Sequence, residues 1–111
     1  MDLTEKHCKP CEGGTPFSIE TEDEYLALTP EWAIERLFEH KIRRVFTFKT
    51  FKQAIDFVNK IAVIAEEEGH HPELRINYKK VTVEIYTHAM LGLSENDFIL
   101  AVKINELFAQ L

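Results

Sequence analysis

Residues 50–72 constrain this chain more than any other stretch. Thr50 and Gln53 stand at the spacing of a helix capping box. Phe51, Ala54, Ile55, Val58, Ile61, Ala62 and Ala65 then recur at the spacing of one helical face, predicting a helix to about Glu68. Gly69 can take the left-handed conformation that ends a helix, and Pro72 forbids continuation. An amphipathic helix is stabilised mainly by packing its apolar face, so a second layer must cover it.

The flanking segments supply that layer. Trp32 and Ile34 alternate with Ala33 and Glu35, and Ile42, Arg44, Phe46 and Phe48 share one parity, with Glu39-His40-Lys41 as the turn between them. Leu74, Ile76 and Tyr78 alternate, as do Val81, Val83 and Ile85, so a hairpin through Tyr78-Lys79-Lys80 is expected. Thr21 with Glu24 and Ser94 with Asp97 repeat the capping pattern ahead of a short helix near 22–28 and a final helix toward Leu111. The expected fold is α+β: a two-layer sandwich of a four-stranded antiparallel sheet with three helices packed on one face. Pro10, Gly13, Gly14 and Pro16 punctuate residues 1–20, which are expected to be irregular, with the domain spanning 21–111.

Composition narrows the function classes. The chain has 111 residues, the size of one domain, and a net charge of −6. The basic clusters, Arg43-Arg44 with Lys41 and Lys79-Lys80, are short and lie in acidic surroundings, which argues against direct nucleic-acid binding. No apolar stretch approaches the roughly 18 residues of a membrane span. The charged start, Met1-Asp2-Leu3-Thr4-Glu5-Lys6, lacks a signal-peptide core, so a cytoplasmic location is expected.

Chemistry concentrates in the histidines. His70 and His71 follow the long helix directly, and His88 ends the next hairpin. A strand out and a strand back bring the chain near its start, so the three can meet in one cleft. Imidazoles exchange protons near neutral pH, and two on opposite sides of a substrate could remove water from it. The same residues could instead cap a helix end or hold zinc.

The segment Glu66-x-x-x-His70-His71-Pro72, followed by Tyr78, Thr87-His88 and Gly92-Leu93-Ser94-x-x-Asp97, resembles the pterin-4a-carbinolamine dehydratase family. Three residues separate Glu66 from His70, five separate Pro72 from Tyr78, nine separate Tyr78 from His88 and eight separate His88 from Asp97, as in that family's signature. Arg44-x-Phe46-x-Phe48-x-x-Phe51-x-x-Ala54 and Trp32 extend the likeness over about residues 20–108.

The resemblance implies dehydration of a 4a-hydroxytetrahydropterin to the quinonoid dihydropterin, without a metal, nucleotide or redox cofactor. It implies His70 and His88 as the acid and base, and His71 as the residue that holds the pterin. Glu66, one turn before His70, is expected to orient that ring or accept a pterin N–H. Trp32 is expected either to flank the pterin or to lie in the core. Many relatives carry Asp directly before the histidine pair, where this chain has Gly69. Partners implied are the pterin, a second or further copies in a homodimer or homotetramer, and a functional link to an aromatic amino acid hydroxylase. The competing readings are a non-catalytic pterin-binding accessory protein and a protein-interaction or dimerisation module.

The remaining candidates divide between structure and chemistry. Asp97 and Tyr78 are expected in capping and hairpin packing, and His40 as an ordinary turn residue. Cys8-x-x-Cys11 after His7 offers thiols in a mobile tail, three of the four ligands of a structural zinc site, or a redox pair.

Overall fold

The computed structural model describes residues 2–10 and 13–111. Its framework is a sheet of β1 (Ala33–Glu35), β2 (Lys41–Thr47), β3 (Glu73–Asn77) and β4 (Lys80–Ile85), in the order β1-β2-β4-β3, with every neighbouring pair antiparallel. Helices α1 (Ile19–Leu26), α2 (Phe51–Glu68) and α3 (Glu95–Ala109) pack on one face. This is the α+β sandwich expected from the sequence.

Alternation along the central strands builds the core. Ile42 and Phe46 of β2 and Val81, Val83 and Ile85 of β4 are fully or almost fully buried. They meet Ala54, Phe57 and Ile61 from α2 and Phe98, Leu100 and Ile104 from α3. Phe46 lies 4.9 Å from Phe57 and 5.0 Å from Phe108 between ring centroids. Arg44, on the same parity, reaches over this cluster with its guanidinium 4.4 Å from the Phe46 ring. Its aliphatic stem can remain among apolar neighbours while its head engages the ring face.

The long helix begins and ends as its residues dictate. The Gln53 N–H donates to Thr50 Oγ1 at 3.1 Å, and Gln53 Oε1 accepts from the Lys49 N–H at 3.1 Å. At the other end Gly69 has φ 64°, and the Gly69 and His70 N–H groups both donate to the Ala65 carbonyl. The first helix starts earlier than expected. Ser18, not Thr21, is its N-cap, and Ser18 Oγ accepts from the Thr21 N–H at 3.3 Å. Both residues are competent caps; Ser18 adopts the extended backbone the role requires.

Two surroundings differ from expectation. His40 is more than a turn residue: its Nδ1 lies 2.7 Å from Oε2 of the buried Glu22, whose other oxygen accepts from Arg36 Nε at 2.9 Å. This satisfied carboxylate ties α1 to the β1–β2 connection. Before α1, residues Leu3–Glu5 form a 3-10 turn, and Leu3 is buried in the core.

Candidate active site

The end of α2 and the loop after β4 build one cleft. Gly69, His70, His71, Thr87, His88, Ala89, Asn96 and Lys9 line a cavity of about 230 Å³. The turn at Gly69 projects the adjacent histidines from the helix end. The Thr87 N–H donates to the Gly92 carbonyl at 2.8 Å, closing the loop that carries His88. The His88 ring packs against Tyr86 with 4.2 Å between centroids. All three histidines predicted from sequence are therefore brought together.

His70 Nε2 lies 2.7 Å from Asp97 Oδ1. Asp97 is fully buried, and its other oxygen accepts from Thr87 Oγ1 at 2.9 Å and from the Ser94 N–H at 2.8 Å. Since Thr87 gives its only hydroxyl proton to Asp97, Ser94 Oγ donates to Thr87 Oγ1 across their 2.7 Å contact. An ionised Asp97 only accepts, so the proton in its contact with His70 sits on Nε2. Nδ1 is then the lone-pair nitrogen of the neutral ring. Asp97 thus caps α3 with one oxygen and fixes the His70 tautomer with the other.

Of the two roles expected of Glu66, orienting His70 is not the one its contacts show. Its Oε2 lies 2.7 Å from Nε2 of His71, while Asp97 occupies the place beside His70. The left-handed turn at Gly69 breaks the helical register, so the helix-face spacing does not extend to His70. The Glu66–His71 pair is exposed at the cleft edge.

Trp32 lies outside the cleft. It is buried, donates Nε1–H to Asn105 Oδ1 at 2.8 Å, and packs edge-on to Phe46. It belongs to the core face shared by the sheet and α3, which corrects its placement beside a pterin.

Residues 2–10 supply a wall that the sequence did not suggest. The Cys8 N–H donates to Glu68 Oε1 at 2.7 Å, and Cys8 Sγ contacts the Asn96 carbonyl at 3.5 Å. Lys9 is clamped in both directions: its N–H donates to Asn96 Oδ1 at 3.0 Å, and its carbonyl accepts from Asn96 Nδ2 at 2.7 Å. Cys8 is consequently half-buried in a fixed segment, correcting the mobile-tail expectation. Burial and the neighbouring Glu68 charge push its thiol up to about 12. For Glu68, burial opposes ionisation, but the Cys8 N–H, His7 and Lys103 outweigh it and hold the carboxyl below the ordinary range.

Among the described residues, no three His, Cys, Asp or Glu side chains are grouped to hold a metal. The histidine-zinc alternative therefore lacks its geometry. The Cys8–Cys11 alternatives involve Cys11, which lies outside the described residues. Among the described residues, no helix is long and apolar enough to cross a membrane.

The comparison that decides the family is a match of residues 15–107 to the sequence profile "Pterin 4 alpha carbinolamine dehydratase". The chain belongs to the pterin-4a-carbinolamine dehydratase family. A relative from Nitrosomonas europaea, provisionally named as such a dehydratase, is 46% identical over 96% of this chain and 94% of its own length. A similarly named protein from Rickettsia canadensis is 50% identical over 92% and 94% respectively. The crystal structure of a transcriptional coactivator/pterin dehydratase from Brucella melitensis superposes with a TM-score of 0.78 at 32% identity, covering 84% of this chain and 98% of that one. A pterin dehydratase-like RuBisCO assembly factor of the alpha-carboxysome has a TM-score of 0.60 at 20% identity, covering 69% and 88%; this likeness shows the fold alone.

Within this dehydratase family chain, Asp97 combines a role expected from its capping motif with one that the motif did not reveal. Thr87, immediately before His88, joins Asp97 to the loop. Lys9 and Asn96 are the lining residues with no prior signal, because their convergence depends on tertiary packing.

Proposed function

We propose that this chain removes water from a 4a-hydroxytetrahydropterin, using His70 and His88 as the proton-transfer pair. The observation carrying this reading is one cleft lined by both rings, with His70 held by a buried carboxylate.

The reaction breaks the C4a–O bond and removes one proton from a ring nitrogen. Nδ1 of His70 takes that proton while Nε2–H stays on Asp97, whose negative charge stabilises the resulting imidazolium. His88, on the exposed loop, gives a proton to the departing hydroxyl and is recharged from water. The products are water and the quinonoid dihydropterin, so atoms and charge balance once the two imidazoles exchange protons with solvent. His71, paired with Glu66 at the edge, holds and orients the bicycle. A volume of about 230 Å³ suits a flat two-ring heterocycle better than a large ligand, for which pockets of roughly 300–1,000 Å³ are usual.

This proposal includes a cytoplasmic, homo-oligomeric protein operating after an aromatic amino acid hydroxylase. The test generates the carbinolamine in situ with a hydroxylase and follows its loss by ultraviolet absorbance. Wild-type protein is expected to accelerate the loss, and His70→Ala and His88→Ala each to lower the enzymatic rate by about 10²–10⁴-fold while remaining folded. No acceleration by wild-type protein overturns the reading.

A further inference from the structure

The charge of the cleft lining differs from that of the chain. The protein carries a net charge of −6, yet none of the cavity's lining residues is Asp or Glu. They comprise one lysine and three histidines, with Thr87, Asn96, Ala89 and Gly69. Asp97 stands behind His70 and Thr87, with hydrogen bonds to both of its oxygens. Glu66 is paired with His71.

Lys9 is the permanent cation of that lining. Its neighbours in the segment have carboxylate partners: Lys6 contacts Glu95 at 3.1 Å and His7 contacts Glu68 at 2.8 Å. Lys9 has no ion-pair partner within 4.0 Å among the described residues. Glu95 feels its charge, but Glu95 already accepts from Tyr25 Oη at 2.7 Å and pairs with Lys6. The reciprocal Lys9–Asn96 hydrogen bonds hold the Lys9 backbone at the cleft and do not involve its ammonium. Gly69, also in the lining, contributes no charge, and the space where a Cβ would stand is open to 4 Å.

From this arrangement we infer that the cleft prefers pterins whose 6-substituent bears an anionic group, phosphate or carboxylate, and that Lys9 is the residue that sets this preference. The inference rests on the cleft being the pterin site. The heterocycle lies against the histidines, and its anionic substituent meets the Lys9 ammonium. A neutral substituent in the same place gains no charge-assisted hydrogen bond.

The test measures binding to the intact protein by pterin fluorescence, without turnover. One pair of probes is neopterin and neopterin 3′-phosphate; the other is 6-hydroxymethylpterin and 6-carboxypterin. Wild-type protein is expected to bind the anionic member of at least one pair about three- to tenfold more tightly, with the ratio falling as salt is added. The two pairs distinguish phosphate from carboxylate recognition. Lys9→Gln should bring the ratio to near one, and Lys9→Arg should restore it. Lys79→Gln, the same charge change in the β3–β4 turn, should leave the ratio intact. Equal binding of both members of both pairs by wild-type protein overturns the inference but retains the pterin site. An unchanged ratio in folded Lys9→Gln overturns the role of Lys9, and absence of binding by all four probes overturns both the inference and the site beneath it.

Discussion

His70 and Asp97 meet at 2.7 Å across 27 positions of sequence, joining the end of α2 to the first turn of α3. The same carboxylate accepts from the loop bearing His88 through Thr87. A single buried group therefore sets the tautomer of one imidazole and anchors the support of the other.

Asp97→Asn should reveal both duties. The amide cannot accept at both ends as the carboxylate does, so at least one buried donor loses its partner. Unfolding in urea is expected to show a loss of about 2–3 kcal/mol. The proposed dehydration should slow by about 10²-fold even where the variant remains folded. Thr87→Val, which removes the hydroxyl at similar volume, should cost about 1–2 kcal/mol.

Acid should weaken the attachment of the His7–Cys8 segment to α2. Glu68 has a folded-state carboxyl below the ordinary 4.5. It binds fewer protons folded than unfolded as pH falls through this interval, so its contribution is present above the ordinary value and lost on descent through the folded value. Urea midpoints measured from pH 7 down to pH 3 should fall less steeply in Glu68→Gln than in wild type, after comparison at pH 7.

Cys8 should react slowly with iodoacetamide. A thiol raised to about 12 is almost wholly protonated at pH 8, and the thiolate is the nucleophile. In a Cys11→Ser background, alkylation followed by mass spectrometry should be far slower than for a free thiol. Glu68→Gln should accelerate it by removing a nearby negative charge; an equal or slower rate contradicts the assigned electrostatic cause.

Gly92→Ala tests a close approach. An added Cβ would stand 2.6 Å from Pro16 Cβ, closer than side-chain carbons can pack. The Pro16 segment or the His88 loop must shift, costing about 1–3 kcal/mol. Thermal unfolding should register this loss, and amide exchange at Phe17, whose N–H donates to the Leu93 carbonyl at 2.8 Å, should quicken.

The sequence was most informative where structure depends on near neighbours. Thr50, Gln53 and Gly69 announce the boundaries of α2 because their contacts lie within one helical turn. Strand alternation identifies the buried faces of β2 and β4 for the same local reason. Ser18 and Thr21 show the limit of this logic: both offer a capping hydroxyl, and the chain conformation before the helix selects between them. The histidine spacing anticipated the cleft, but Glu66 pairs with His71 because Gly69 turns the chain out of helical register. The Trp32–Asn105 and Lys9–Asn96 contacts link residues remote in sequence, so neither periodicity nor capping could select them. The place of Trp32 follows from its hydrogen bond to Asn105 of α3 and its packing against Phe46 of β2 instead.

The clamp between Lys9 and Asn96 also bears on where this domain can safely be trimmed. Homology boundaries at 15–107 would omit a residue that encloses the cavity, together with the Cys8 backbone donor to Glu68. An expression design cut to that match would retain the sheet and all three histidines, yet lack one wall of the cavity.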